Sequence, residues 1–344
     1  VARAVKVGIV GVGTIGKSHM EQYAVSPRAK VVAVADVDKA AAESAAARHG
    51  IKKVLTDYRE LVALPGVEAV DVCTPPFAHA PVTIAAANAG KHVLCEKPMA
   101  LNSREANRMV EACRKAGVKL GIASGRSRLS PNVEMARRYV ASGKLGKLYY
   151  ARATTLRRRG RPGLDILQGS KWFLDASKAG GGALIDIGCY DVDVLLYLAG
   201  SPQPFAASAM TFRGVGQPLR LEEPYDVEEH ATLFVRFEGG LAATFETAWA
   251  SNMHGADGML LFGTKGGLRT SPFTFYAEQA GQQTALSFEP RLARRESFIE
   301  DFAKACRGHG QPKTPGEDGL KVMQIIDMAY TSARQGREAT LKDL

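Results

Sequence analysis

The stretch Val7-Gly8-Ile9-Val10-Gly11-Val12-Gly13-Thr14-Ile15-Gly16, with an acid at Asp36, decides the fold of this chain. Its apolar start reads as a buried parallel strand, and it runs straight into G-x-G-x-x-G. Gly11 permits a tight turn, Gly13 lets a pyrophosphate come close to the backbone, and Gly16 lets the next helix lie against the strand. That helix begins at Thr14 and Ile15 and aims its unpaired N–H groups, and the positive end of its dipole, at the phosphates. A second apolar run, Val31 to Ala35, ends in Asp36 about twenty residues past Gly16, as a dinucleotide fingerprint requires. Glycines alone would suit any tight strand-to-helix turn. Strand, helix and acid together read as a dinucleotide site.

Asp36 also selects the dinucleotide. A carboxylate there accepts the ribose hydroxyls of NAD and repels the 2′-phosphate of NADP. Val37 and Asp38 follow, so no adjacent Arg is placed to pair with that phosphate. Lys39 is expected to face solvent at the start of an Ala-rich helix. NAD is the expected cofactor, ahead of NADP.

With 344 residues the chain suits two domains, and 46% hydrophobic with 23% charged residues is ordinary for a globular protein. No apolar stretch reaches the roughly twenty residues that cross a bilayer. The first strand begins almost at once, which argues against a signal peptide. Five cysteines, Cys73, Cys95, Cys113, Cys189 and Cys306, are odd in number and scattered. They show neither a disulfide framework nor metal-binding spacing, and no histidine pair has ligand spacing with a carboxylate, so no metal is expected. A reduced, cytoplasmic setting follows. The net charge of +10 raises the question of nucleic acid. However, the densest basic run, Arg157-Arg158-Arg159-Gly160-Arg161, has no interleaved aromatics and matches no nucleic-acid motif. It reads as a solvated loop, with anionic-substrate binding or a subunit contact as alternatives.

Strands and helices alternate up to residue 125, the signature of a doubly wound parallel sheet of Rossmann type. Residues 1–125 are the expected NAD-binding domain. Beyond them, Ser130-Pro131 opens a helix with Ser at the N-cap and Pro at the first turn. Leu148 to Ala153 reads as a strand, Glu229 to Trp249 as a hairpin turning at Glu238-Gly239-Gly240, and further strands follow at Gly258 to Phe262 and around Leu268. Residues 126–344 are therefore expected to form an α+β domain with a mostly antiparallel, open sheet. It would be covered by helices on one face and a second subunit on the other, as a homodimer or homotetramer. The terminal helices, Pro290 to Cys306 and Glu317 to Arg334, are candidates to pack back on the first domain.

Ligands bind at the carboxyl ends of such parallel strands, and two of those ends are unusual. Thr74-Pro75-Pro76-Phe77-Ala78-His79 follows one strand, where two prolines suggest a stiff, extended turn instead of a helix start. Glu96-Lys97-Pro98 follows the next and sets two ionisable groups at the mouth of the crevice. A Lys beside a cationic nicotinamide can exchange protons with a substrate hydroxyl; a surface Glu–Lys pair is the plainer alternative.

This spaced set, with Gly90-Lys91-His92-Val93, resembles the Gfo/Idh/MocA oxidoreductases. The similarity continues through Arg128 and Pro131 (Leu129 standing where an aromatic is usual), Gly180-Gly181-Gly182-Ala183-Leu184-Ile185-Asp186-Ile187-Gly188, and Gly316-Glu317-Asp318-Gly319. It spans essentially the whole chain. The resemblance implies that Lys97 is an acid/base residue, that Glu96 shapes the nicotinamide pocket, and that Thr74, Pro75 and His79 line the NAD site. For His79 an ordinary capping role is the alternative. It also implies Asp186 as substrate ligand or proton partner, and Arg128 at the substrate. Many members have His four residues after that Asp, where this chain has Tyr190. On a helix Asp186 and Tyr190 share a face, and Lys97 with Tyr190 forms a candidate proton-handling pair. Tyr190 as hydroxyl ligand or packing residue is the alternative. Asp193, on a neighbouring face, reads as a ligand or a surface charge, and Trp172 with Phe173 as a cleft wall against a carbohydrate ring.

The leading expectation is an NAD-dependent dehydrogenase acting on a secondary alcohol of a sugar, cyclitol or polyol. Two alternatives stay open: an NAD-dependent glycosidase that oxidises transiently and eliminates, and a catalytically silent NAD-binding sensor.

Overall fold

The computed structural model describes residues 3–215, 224–253, 255, 258–292 and 296–344. The opening stretch folds as read from its pattern. Strand β1 (Val5–Val10) leads through the glycine turn into helix α1 (Thr14–Ala24), and β2 (Ala29–Ala35) follows. Helix α2 (Lys39–His49) is capped by the Asp38 side chain at its start and by left-handed Gly50 at its end. Then come β3 (Lys53–Leu55), α3 (Tyr58–Val62), β4 (Ala69–Val72), α4 (His79–Asn88), β5 (His92–Cys95), α5 (Ser103–Ala116) and β6 (Leu120–Ile122). All six strands are parallel, in the order β3-β2-β1-β4-β5-β6. Valine- and alanine-rich strands buried on both faces are what a doubly wound sheet requires. The short α6 (Gly125–Arg128) follows.

Two corrections concern helix starts. Pro76 begins a tight single turn, Pro76–Ala78, that feeds directly into α4, so this segment is a helix start after all. Proline at the first helical position is pre-organised, and only Pro75 stays extended. The helix expected from Pro290 begins at Phe298, with the Ser297 hydroxyl accepting from the Glu300 N–H.

The second sheet is built by α7 (Pro131–Ala141), β7 (Leu148–Leu156), α8 (Ala176–Ala179), α9 (Cys189–Ala199), β8 (Pro204–Phe212), β9 (His230–Phe237), β10 (Ala242–Ala248), β11 (Gly258–Gly263), β12 (Gly266–Thr270), β13 (Phe273–Gln279) and β14 (Gln282–Ser287). The chain closes with α10 (Phe298–Cys306), α11 (Gly316–Gln335) and the two-residue β15 (Ala339–Thr340). The nine strands run β14-β13-β12-β11-β7-β10-β9-β8-β15, antiparallel except for β7 beside β10. The expected hairpin is β9–β10, with Ala243 opposite Val235 and Phe245 opposite Leu233. Those residues point into the core, while their neighbours alternate outward.

The chain divides into two compact units, Val1–Leu129 with Glu296–Leu320, and Ser130–Arg295 with Lys321–Leu344. Phe298, Ile299 and Phe302 of α10 join the first unit's core beside Ile9, Val34 and Leu94. The glycines of the 316–319 segment are required by packing. A Cβ on Gly316 would lie 2.6 Å from Leu120, and one on Gly319 2.8 Å from Met99.

Candidate active site

Because every strand of the first sheet is parallel, the loops after β1, β2, β4 and β5 leave from one rim. Gly11 holds φ +91°, pressed on the Cys73–Thr74 backbone, and a Cβ on Gly16 would lie 2.1 Å from the Gly11 carbonyl oxygen. Gly13 is the contrast: its missing Cβ would point into open space, with no atom within 4 Å. The first two glycine demands are internal packing, and the third leaves room for a pyrophosphate against the start of α1. The Asp36 carboxylate accepts the Val12 N–H at 2.8 Å and the Asp38 N–H at 3.0 Å. It is thereby fixed beside the glycine loop with lone pairs left for ribose hydroxyls. Val37 is fully exposed, and Lys39 pairs along its own helix with Glu43 at 3.7 Å. At the tip of β4 the buried Thr74 hydroxyl has no hydrogen-bond partner among the described residues. Glycine cradle, anchored acid and orphaned hydroxyl fit NAD.

Glu96 is buried, and its surroundings include groups that no local pattern revealed. His19, on the second turn of α1, is fully buried between two carboxylates: Nδ1 is 2.8 Å from Asp71 and Nε2 is 2.8 Å from Glu96. Arg126 of α6 also donates to Glu96, and the Lys97 N–H donates to its second oxygen at 2.9 Å. Burial opposes the Glu96 charge, but the hydrogen bond from His19 and the charge of Arg126 outweigh it and hold the carboxyl well below the usual range. Cys73 lies 3.3 Å from His19, its thiol pushed up to about 12 mainly by burial. Among the described residues His19, Asp71 and Cys73 form the one trio of metal-ligand types within 4.8 Å of each other. Hydrogen bonds already occupy its His and Asp atoms.

Two residues expected at the site lie beneath it. His79 is buried, with Nδ1 2.8 Å from the Pro98 carbonyl and Nε2 2.8 Å from the Thr74 carbonyl. It braces the loops after β4 and β5 against each other, and burial lowers its pKa. Arg128 corrects the expectation of substrate contact. It is 1% exposed, donates to the Lys313 carbonyl at 2.6 Å and pairs with Asp318 at 2.8 Å. Its guanidinium clasps the 313–318 segment within the first unit.

In the second unit, Asp186 lies in a π-helical turn, Leu184–Gly188, that runs into α9. Such turns occur often at functional positions. Asp186 is 7% exposed and accepts the Trp249 indole N–H at 2.9 Å. Tyr190 is half-buried in the first turn of α9. Asp193 is fully buried, which removes the surface-charge reading. Trp172, half-buried, stacks on Phe173 at 3.8 Å, and Phe173 meets Trp249 edge-on. The indole that holds Asp186 thus ends an aromatic file from Trp172. Glu228 supports the same turn from below: it accepts the Gly182 and Leu184 N–H groups, each at 2.8 Å, and the Tyr330 hydroxyl at 2.9 Å. Gly182 follows from this crowding, since a Cβ there would lie 1.8 Å from the Glu228 carbonyl oxygen. The basic loop divides. Arg158 and Arg159 are exposed as expected, but Arg161 is buried in ion pairs with Asp165 at 2.8 Å and Glu229 at 3.0 Å.

A glycine-cradled, acid-tipped Rossmann sheet with an ionisable turn at its rim defines a nicotinamide-dependent oxidoreductase. The comparisons give the family. Residues 5–124 match the model described as "Oxidoreductase family, NAD-binding Rossmann fold", and residues 133–269 match the GFO/IDH/MocA C-terminal domain. The chain belongs to the Gfo/Idh/MocA oxidoreductase family. It is 28% identical to D-glucoside 3-dehydrogenase of Escherichia coli (strain K12), over 98% of this chain and 97% of that one. It is 31% identical to 1,5-anhydro-D-fructose reductase of Ensifer adhaerens, over 97% and 98%. A solved levoglucosan dehydrogenase in complex with NADH and L-sorbose superposes with a TM-score of 0.86 at 27% identity, covering 98% of this chain and 99% of that one. Among the described residues no helix is long and apolar enough to cross a membrane.

Proposed function

We propose that this protein transfers a hydride between NAD and a secondary hydroxyl, or the matching ketone, of a sugar, cyclitol or related polyol. One observation carries the reading: Glu96-Lys97 leaves β5 at the same sheet rim as the glycine cradle after β1 and Asp36 after β2. An amine there stands at the nicotinamide end of a dinucleotide laid along that rim. Relatives named for glucosides, anhydrofructose and levoglucosan support the substrate class.

When bound, NAD accepts or returns the hydride. Lys97 Nζ takes the hydroxyl proton in oxidation and gives it back in reduction. Asp186 and Tyr190 bind the substrate and assist that proton, as the family resemblance assigns them, and Trp172 supports an apolar ring face. Trp249 fixes the Asp186 carboxylate, and Asp36 selects NAD over NADP. Five free cysteines, four of them buried, support a reducing, cytoplasmic setting.

A second copy of the chain is proposed on the open face of the large sheet, in a dimer or a pair of dimers. Strand register puts Met210, Phe234, Tyr150, Phe262 and Tyr276 on that face. Met210 is 53% exposed. A two-fold contact uses one patch on both partners, so this face meets its own copy.

The test is NADH formation from NAD and a sugar, with Lys97→Met as control. The variant should bind NAD like the parent and lose turnover by about 100-fold or more. Full turnover in the variant would remove Lys97 from the chemistry.

A further inference from the structure

We propose that His19 is a positioning residue for the proton-handling turn: a buried imidazolium that ties Glu96, and through it the Lys97 backbone, to the pyrophosphate-binding helix. The proposal rests on the role given to Lys97 above. Both ring nitrogens of His19 lie 2.8 Å from carboxylate oxygens, of Asp71 on one side and Glu96 on the other. An ionised carboxylate only accepts. A neutral imidazole has one N–H, so its second nitrogen would turn a lone pair on a carboxylate. The doubly protonated ring satisfies both.

The groups around the ring and its two carboxylates come from every packed element: Asp71 from β4, Cys73 just beyond it, Glu96 after β5 and the Phe298 ring of α10 edge-on at 5.1 Å meet His19, while Tyr23 of α1 lies by Asp71 and Arg126 of α6 pairs with Glu96. Asp71 and Glu96 supply two negative charges, and His19 and Arg126 two positive ones. Burial works against the charge on His19, but the charge and hydrogen bond of Asp71 oppose it, and its pKa is raised well above the usual value. His79 makes the comparison within this fold. It has the same two 2.8 Å contacts, but to uncharged carbonyls, and burial moves its pKa down, so the two carboxylate charges, beyond acceptor geometry, favour the imidazolium at His19.

The geometric consequence concerns Lys97. One Glu96 oxygen takes His19 and Arg126, and the other takes the Lys97 N–H. The turn carrying the Lys97 side chain is therefore fastened to α1, whose N-terminus sits at the glycine cradle. His19→Gln keeps a donor for one carboxylate and removes the positive charge between the two, so that Arg126 alone faces the charges of Asp71 and Glu96.

The first measurement is ¹⁵N NMR of histidine-labelled protein without cofactor, with the His19 signals identified by their loss in His19→Gln. Both nitrogens should carry protons at pH about 8, far above the ordinary imidazole value of about 6.5. In Asp71→Asn, which keeps the shape and removes one charge, one of those protons should be lost at that pH. The second measurement is the rate at which an amine-acylating reagent labels Lys97, read by peptide mass spectrometry on the same cofactor-free proteins. Both variants should change that rate by about threefold or more, and lower kcat by about tenfold with the sugar KM within about twofold. A single protonated nitrogen in the parent at pH about 7 would overturn the proposal. So would variants that lose thermal stability while Lys97 labelling and the kcat/KM split stay put. If neither variant folds, a parent spectrum in which no histidine is doubly protonated at pH about 8 still overturns the proposal. If the parent oxidises no sugar, the function proposed above fails, while labelling and NMR still decide the role of His19.

Discussion

Gly16 and Asp36 serve the same loop through different physics. Gly16 is required by a backbone contact, so Gly16→Ala should prevent α1 from seating and abolish NAD binding, read by calorimetry on protein that still melts cooperatively. Asp36 is required by charge and hydrogen bonding. Asp36→Asn should weaken NAD by about 10- to 100-fold, the worth of about 1–3 kcal/mol in charged hydrogen bonds, and narrow the preference over NADP. Equal NAD affinity in the variant would detach Asp36 from the ribose. These two residues were legible in the sequence because their meaning lies in spacing along one βαβ unit. His19, Glu228 and Trp249 were not. Their partners Asp71, Gly182 and Asp186 lie 52, 46 and 63 positions away, and an isolated His, Glu or Trp carries no sign of such a partner. Arg128 was placed at the substrate by the family resemblance, and its own sequence neighbourhood gave no sign of Asp318, its ion-pair partner 190 positions on. Trp249→Phe keeps the aromatic packing and removes the indole N–H. It should cost about 1–3 kcal/mol in denaturant titration and reduce sugar turnover, with NAD affinity unchanged.

At the scale of elements, α10 shows how a distant helix completes the dinucleotide sheet. Phe298, Ile299 and Phe302 bury an apolar stripe in the first unit's core. Beyond its last turn, Arg307 donates to both Glu68 oxygens, at 3.0 and 3.1 Å, next to the start of β4. The hydrogen bond from Arg307 leads in lowering the Glu68 pKa, from 4.5 to about 2. A carboxyl lowered on folding stabilises fully above its unfolded value. That contribution is lost as pH falls from 4.5 toward 2. Glu68→Gln should remove about 1–2 kcal/mol at neutral pH and flatten the fall in stability between pH 4.5 and 2. An unchanged acid profile would show that the clamp contributes nothing. Helix caps at Asp38 and Ser130 followed local rules, but the N-terminal limit of α10 was not read from them. Apolar spacing carried the expectation back to Pro290, whereas the Ser297 cap sets the start. Strands β13 and β14 escaped notice, their alternation being weak in an exposed hairpin.

For the whole molecule, the alternation of strand and helix announced a doubly wound sheet, and the hairpin pattern announced the second. Neither revealed that β7 runs parallel to β10 at the centre of that sheet, because pairing of distant strands depends on topology rather than local pattern. The outward row of Met210, Phe234, Tyr150 and Phe262 is where assembly should be tested. Phe234→Asp puts a charge on the proposed contact and should shift the mass in light scattering toward one chain at micromolar concentration. An unchanged mass would place the contact elsewhere. Hydride transfer between NAD and a carbohydrate hydroxyl can be read directly. Sugars, cyclitols and glycosides carrying deuterium at each ring C–H are incubated with NAD and the protein, and the nucleotide is analysed by mass spectrometry. NADH bearing one deuterium, formed one-for-one with a ketone product, is the predicted result. Tight NAD binding with glycoside cleavage and no net NADH, or no transfer from any substrate, would contradict it.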